Sequence, residues 1–177
     1  GASGTGNIAS FTTTNATTAA ISGTITVTPT IGSCPGTPID FTITVTPVPT
    51  VVDPSDQVRC AGQATADVIF TGSNPGATYN WTNDNTSIGL AAGGSGDILS
   101  FTTINAGSTV QVATITVTPT FVDGSVSCLG TSTSFTITVN PTPTIILSSA
   151  VSSANQIICV NTPITPIQYT FGLFFCK

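Results

Sequence analysis

Residues 94–120 read GSGDILSFTTINAGSTVQVATITVTPT, and residues 4–30 read GTGNIASFTTTNATTAAISGTITVTPT. Phe101 answers Phe11, Asn105 answers Asn15, and ITVTPT at 115–120 answers ITVTPT at 25–30, all at one offset. Self-similarity on a period close to a small-domain length marks a tandem array and takes precedence over local readings. Working outward, PVPT at 47–50 and PTPT at 141–144 succeed the two copies of FTITV. Alternating prolines hold extended backbone and act as semi-rigid spacers, so both read as module junctions. Residues 1–47 are then the C-terminal half of one module, residues 48–141 a complete module, and residues 142–177 the N-terminal part of a further one. NQIICVNTPITPIQYT at 155–170 lines up loosely with DQVRCAGQATADVIFT at 56–71.

In TITVT and FTITVT, apolar Ile25 and Val27, or Phe41, Ile43 and Val45, alternate with threonine. That period of two gives one dry and one wet face, as in a half-buried antiparallel strand. Strands are expected at Ile8–Phe11, Gly23–Thr28 and Phe41–Val45. Within the complete module they are expected near Gln57–Cys60, Ala66–Phe70, Thr78–Thr82, Ile98–Thr103, Gln111–Thr118 and Ser134–Val139, with a weaker segment at Ser87–Ala91. Short strands at this spacing, without a helical period, predict an all-β chain of tandem immunoglobulin-like β-sandwich modules. Tyr79 and Trp81 share a strand face, and Trp81 is expected to be the core aromatic.

Charged residues are 5% of the chain, against about 25% in ordinary soluble domains. Threonine, roughly a fifth of the residues, offers β-branched stiffness with a hydroxyl for water. Seven aspartates face only Arg59 and Lys177, for a net charge of −5. Nucleic-acid binding needs clustered Lys and Arg and is set aside. No apolar run reaches the length of a membrane-spanning helix, and no N-terminal signal segment is present, so the chain is expected to be a mature or excised piece. With neither histidine nor glutamate, the usual acid–base and oxyanion machinery is missing, and no enzyme activity is expected.

Asp53 and Asp56 in VVDPSDQ are calcium candidates, since carboxylates around a hard cation would stiffen a junction; Asp84 and Asp97 are further ones. Against this, Asp, Asn, Pro and Gly are what turns are made of, and the turn reading is preferred. No cofactor is otherwise expected. GASGTG at 1–6 and GGSG at 93–96 resemble phosphate-cradling loops only in glycine content, without the succeeding helix or the lysine. Asn15, Asn80 and Asn85 stand in N-glycosylation triplets. Cys60 and Cys128 lie at opposite ends of the complete module, with Cys34 the counterpart of Cys128 and Cys159 that of Cys60. One disulfide per module, Cys60–Cys128, is expected; the rival scheme pairs Cys34 with Cys60 and Cys128 with Cys159. Cysteine spacing supports no zinc site, and Cys176 has no counterpart.

The order DQVRCAG, then VIFTGSNPGATYNWTNDNTSIGLAAGGSGDILSFTTINAG, then ATITVTPT, a cysteine and FTITVNPTPT resembles the PKD-like, immunoglobulin-like repeat of giant Bacteroidetes surface proteins. Some of these resemble gliding adhesins exported by type IX secretion. The segment ICVNTPITPIQYTFG is similar to the opening of a different repeat class, and LFFCK departs from that pattern. The resemblance implies an extracellular, cell-surface stalk or filament segment without catalysis, a rigid spacer in attachment or motility. Its expected partners are neighbouring modules or other copies in a filament, which could complete one another's open sheet edges, and an unspecified surface or glycan ligand. The alternative is a carbohydrate-binding accessory module of a secreted enzyme, which would display exposed aromatics.

Overall fold

A computed structural model describes residues 3–172 of the chain. Its strands are β1 (Ile21–Val27), β2 (Thr30–Ile31), β3 (Cys34–Pro35), β4 (Ile39–Val45), β5 (Gln57–Cys60) and β6 (Thr78–Asn83). They continue with β7 (Gly93–Ser95), β8 (Gln111–Asp123), β9 (Val126–Leu129), β10 (Thr133–Asn140), β11 (Ile145–Leu147) and β12 (Tyr169–Phe171). Two three-residue 3-10 turns, Thr86–Ile88 and Val151–Ser153, are the helical content of the described residues. The fold is therefore nearly all β, as the two-residue period requires.

The chain divides into two compact units, Gly1–Val52 with Phe70–Asn80 and Val117–Thr133, and Asp53–Ile69 with Trp81–Thr116 and Ser134–Lys177. These units cross the boundaries expected at 47/48 and 141/142. The cause in the first unit is local: residues 50–52 hydrogen-bond to residues 71–73, which ties the junction to a later part of the chain.

In the first unit β1 and β4 form an antiparallel pair, Ile25 opposite Phe41 and Thr24 opposite Thr42. Ser22 and Thr44 share a 2.8 Å hydroxyl hydrogen bond on the wet side. Ile25, Ile43 and Val45 are only half-buried, and Phe11 is 60% exposed. The strand expected at Ile8–Phe11 is extended chain without a ladder partner. Farther along, β8 and β9 close a hairpin with Phe121 opposite Cys128 and Asp123 opposite Val126.

The second unit holds the main core. One six-stranded sheet runs β5-β10-β8-β6-β7, with β9 on β8. Here β5 lies parallel to β10, with Gln57 opposite Ile137 and Cys60 opposite Asn140. Alternation decides which side is dry: Ala113, Ile115, Ile137 and Val139 are wholly buried and Phe135 nearly so, while the threonines between them keep partial solvent contact. Burying each such branched side chain stabilises the fold by about 1.5–3 kcal/mol. The expected strands 66–70 and 98–103 do not form a ladder. They are extended stretches joined by two isolated bridges, Ala64–Thr102 and Val68–Ile98, with Val68 and Ile98 buried. The weak strand at 87–91 is instead the turn Thr86–Ile88, capped by the Asn85 side chain accepting from the Ser87 N–H and ended by Gly89.

Candidate functional site

The prolines at 47–50 form a socket within the first unit. Pro47 and Pro49 are fully buried, whereas Val48 is exposed. The Thr50 N–H donates to Ser73 Oγ (3.1 Å), and the Ser73 N–H donates to Thr50 Oγ1 (3.1 Å). The Val52 N–H then donates to the Thr71 carbonyl at 2.7 Å. A Cβ on Gly72 would lie 1.8 Å from the Thr50 carbonyl oxygen, and one on Gly130 would lie 2.0 Å from that of Pro49. Both positions therefore require glycine. Asn74, 4% exposed, completes the contact by donating from Nδ2 to the Thr18 carbonyl at 2.9 Å. The proline run is thus held against chain well beyond it in sequence. Sequence reading places a spacer here but misses Gly72, Ser73, Asn74 and Gly130, because GSNPG at 72–76 has the composition of any turn.

The repeat is carried into side-chain bonding. Asn105 Nδ2 donates to the carbonyls of Thr109 and Val139, both at 2.8 Å, and its Oδ1 accepts from the Gly107 N–H. Asn15 makes the same three bonds, to Ala19, Val45 and Thr17, at 2.8, 2.7 and 2.9 Å. Gln57 brackets Ala66, donating from Nε2 to its carbonyl (3.1 Å) and accepting its N–H at Oε1 (2.9 Å). Gln156 brackets Thr165 in the same way, at 2.8 and 2.6 Å. Near the second proline run, Ile146 stands opposite Thr170, as the Val52 amide meets Thr71. Removing such a clamp strands buried carbonyls, which costs about 1–3 kcal/mol. Asn105→Ala is expected to lower the stability of the 56–143 region by that amount, read as a fall in urea midpoint at unchanged m-value.

The remaining candidates have structural places. Asp56 accepts the Thr136 N–H (2.6 Å), Asp67 that of Ser100 (2.6 Å) and Asp84 that of Thr114 (2.7 Å), each carboxylate holding a backbone donor. No group of three or more metal-ligating side chains occurs among the described residues, so Asp53 and Asp56 are not joined by a third such ligand. A cleft of about 350 Å³ is lined by Asp56, Arg59 and Asp67; the Arg59 guanidinium donates to the carbonyls of Val58 and Ala64. The amides of Asn15 and Asn85 are engaged by backbone carbonyls.

Trp81 is 8% exposed and donates from Nε1 to the Gly96 carbonyl at 3.2 Å. GGSG is the indole's neighbour: a Cβ on Gly94 would lie 2.5 Å from the ring. The cysteine expectation needs correction, because Cys34, Cys128 and Cys159 are free thiols. Neither Cys60–Cys128 nor the cross-junction pairs are present. Cys60 lies opposite Asn140, the last residue of β10, whereas Cys128 belongs to the strand preceding β10. Eight strand residues carry the chain about 26 Å, far beyond the reach of a disulfide. Cys176 lies outside the described residues.

This arrangement, a sheet with an alternating core, a buried tryptophan, bridged extended stretches and carboxylates engaged by backbone, is that of a small structural β module. A PKD-like domain is found at residues 56–143. Its span takes in β5 to β10 and ends within the second proline run. PKD-like domains are generally non-catalytic, immunoglobulin-like and typically extracellular. Among the described residues no helix is long and apolar enough to cross a membrane. No curated protein matches the chain.

Proposed function

We infer that this chain is a non-catalytic spacer from an extracellular stalk or filament, its PKD-like domain one of several modules in series. Residues 1–47 are the C-terminal half of the preceding module and residues 142–177 the N-terminal part of the next. The observation that carries this reading is the socket at Pro47–Val52, whose backbone is fixed by Gly72, Ser73 and Gly130. A linker held by buried prolines and reciprocal hydrogen bonds transmits bending force from module to module, which is what a stalk needs. The recurring Asn and Gln clamps support the assignment of both end segments as module halves. The setting that fits best is a giant adhesin of Bacteroidetes, exported by type IX secretion, with adhesion or gliding contacts made by other parts of that protein.

The carbohydrate-binding alternative finds less support. Trp81, the ring best suited to stack on a sugar, is buried, and no aromatic within residues 56–143 is among the exposed large side chains. Small-angle scattering of the chain in solution tests the spacer. An extended particle of fixed length is expected, with glycan arrays giving no signal. A flexible ensemble hinged near residues 47–50, or saturable binding of a soluble glycan, would remove the reading.

A further inference from the structure

We propose that the PKD-like domain bears tension along the stalk, with β5 and β10 as a clamp that is loaded in shear. This rests on the serial reading above, which makes the two ends of the domain the points where load enters and leaves. The first strand of the domain, β5, and its last, β10, are neighbours in the sheet and run parallel, Gln57 opposite Ile137 and Cys60 opposite Asn140. A pull toward the N-terminus draws β5 backward from Gln57, while a pull toward the C-terminus draws β10 forward from Asn140. The two strands must then slide past each other lengthwise, and the evenly spaced bonds of a parallel pair share the load. Antiparallel terminal strands under the same pull would part their bonds one at a time.

The ladder is lengthened at both ends. At the loaded end of β5, Asp56 Oδ1 accepts the Thr136 N–H at 2.6 Å, one position ahead of the Gln57–Ile137 pair. At the other end the Ala61 N–H donates to the Asn140 carbonyl at 2.8 Å. β5 is also tied to later chain: Gln57 brackets Ala66, Arg59 Nε donates to the Ala64 carbonyl at 3.0 Å, and Thr103 Oγ1 donates to that of Cys60 at 2.8 Å. β10 is held between β5 and β8, with Phe135, Ile137 and Val139 buried in the core. Neither strand can peel away alone, so sliding is the route left. The socket at Pro47–Val52 stands upstream on the chain. When its bonds part, residues 50–56 reach at most about 25 Å before the load falls on β5. Failure of the clamp instead frees residues 57–140, whose extended length is on the order of 300 Å.

Single molecules of the full chain, tethered by their two ends in reducing buffer and held at constant tension, test the clamp. The domain is expected to open in one event that adds on the order of 300 Å of contour length. Asp56→Ala removes a charged hydrogen bond from the loaded end and should shorten the folded lifetime under load about tenfold or more. Asp84→Ala removes a matching bond, from the Thr114 N–H to Asp84 Oδ1 at 2.7 Å, between strands that are not terminal. Its urea midpoint should fall as far as that of Asp56→Ala, yet its lifetime under load should stay within about twofold of wild type, because its bond is not the one that breaks first. Gly130→Ala, which unseats the socket, should also leave that lifetime unchanged. Trp81 fluorescence shows that each variant is folded before load is applied. Equal shortening by Asp56→Ala and Asp84→Ala overturns the proposal, as does opening in several short steps, or a loss in Gly130→Ala as large as that in Asp56→Ala. A chain that scatters as a rigid rod but opens in short steps would sink the clamp and leave the spacer reading standing.

Discussion

Trp81→Ala is expected to leave the PKD-like domain largely unfolded at temperatures where the wild-type chain is folded. The indole is 8% exposed in β6, its N–H is bonded to the Gly96 carbonyl, and Gly94 is shaped around its ring. Truncating a buried tryptophan costs about 3–5 kcal/mol, set against a total stability of about 5–15 kcal/mol for a domain. The Tm should fall by roughly 15–30 °C, monitored by circular dichroism because the fluorophore is lost. Tyr79→Ala, on the same strand face but only half-buried, should cost clearly less. Equal losses at the two positions would mean that the indole is not the centre of this core.

The second large effect is expected at Gly130. A methyl group there would lie 2.0 Å from the Pro49 carbonyl oxygen and 2.8 Å from the Pro119 ring, so the proline run must leave its socket. Gly130→Ala should cost about 1–3 kcal/mol locally and speed hydrogen exchange at the Val52 amide about tenfold or more. That amide reports directly, since it donates to Thr71 at 2.7 Å. Scattering should change from a rigid to a hinged profile. Gly23→Ala is the control, because no atom lies within 4 Å of the added carbon. Unchanged Val52 exchange in Gly130→Ala would show that the socket is not what fixes the junction.

The strands most legible in the sequence are those with strict alternation. ATITVT and FTITV form β8 and β10 with the expected residues inward, because one dry face admits only one register, while in β4 the same alternation leaves Ile43 and Val45 half-buried and Phe41 exposed. The stretches around Val68 and Ile98 have the composition of strands, yet they are joined by single bridges. There the hydrogen bonds of a ladder are replaced by side-chain clamps from Gln57, Thr65 and Asp67, which no periodicity announces. The turn at Thr86–Ile88 escapes a search for periods since its signal is a cap, Asn85. The repeat locates the proline junctions, but the socket depends on which backbone passes over Gly72 and Gly130, a long-range fact. The pairing of Cys60 with Cys128 fails for a similar reason: counting partners ignores the length of β10 between them.

The hairpins before β4 and β10 differ in a telling way. In the short one Ile31 stands opposite Cys34; in the long one Phe121 stands opposite Cys128, and Val122–Ser127 and Asp123–Val126 are added beyond. The increment is two rungs, so every residue below the tip keeps its side and its neighbour. The Gly36 and Gly130 amides accordingly reach Pro29 and Pro119 alike, at 2.7 and 2.9 Å. Growth by whole rungs lets this finger lengthen or shorten among repeats while the interior is untouched, and insertion of an odd residue would demand a bulge. The fingertip is thus where the two copies of this hairpin differ in the chemistry they present to their surroundings.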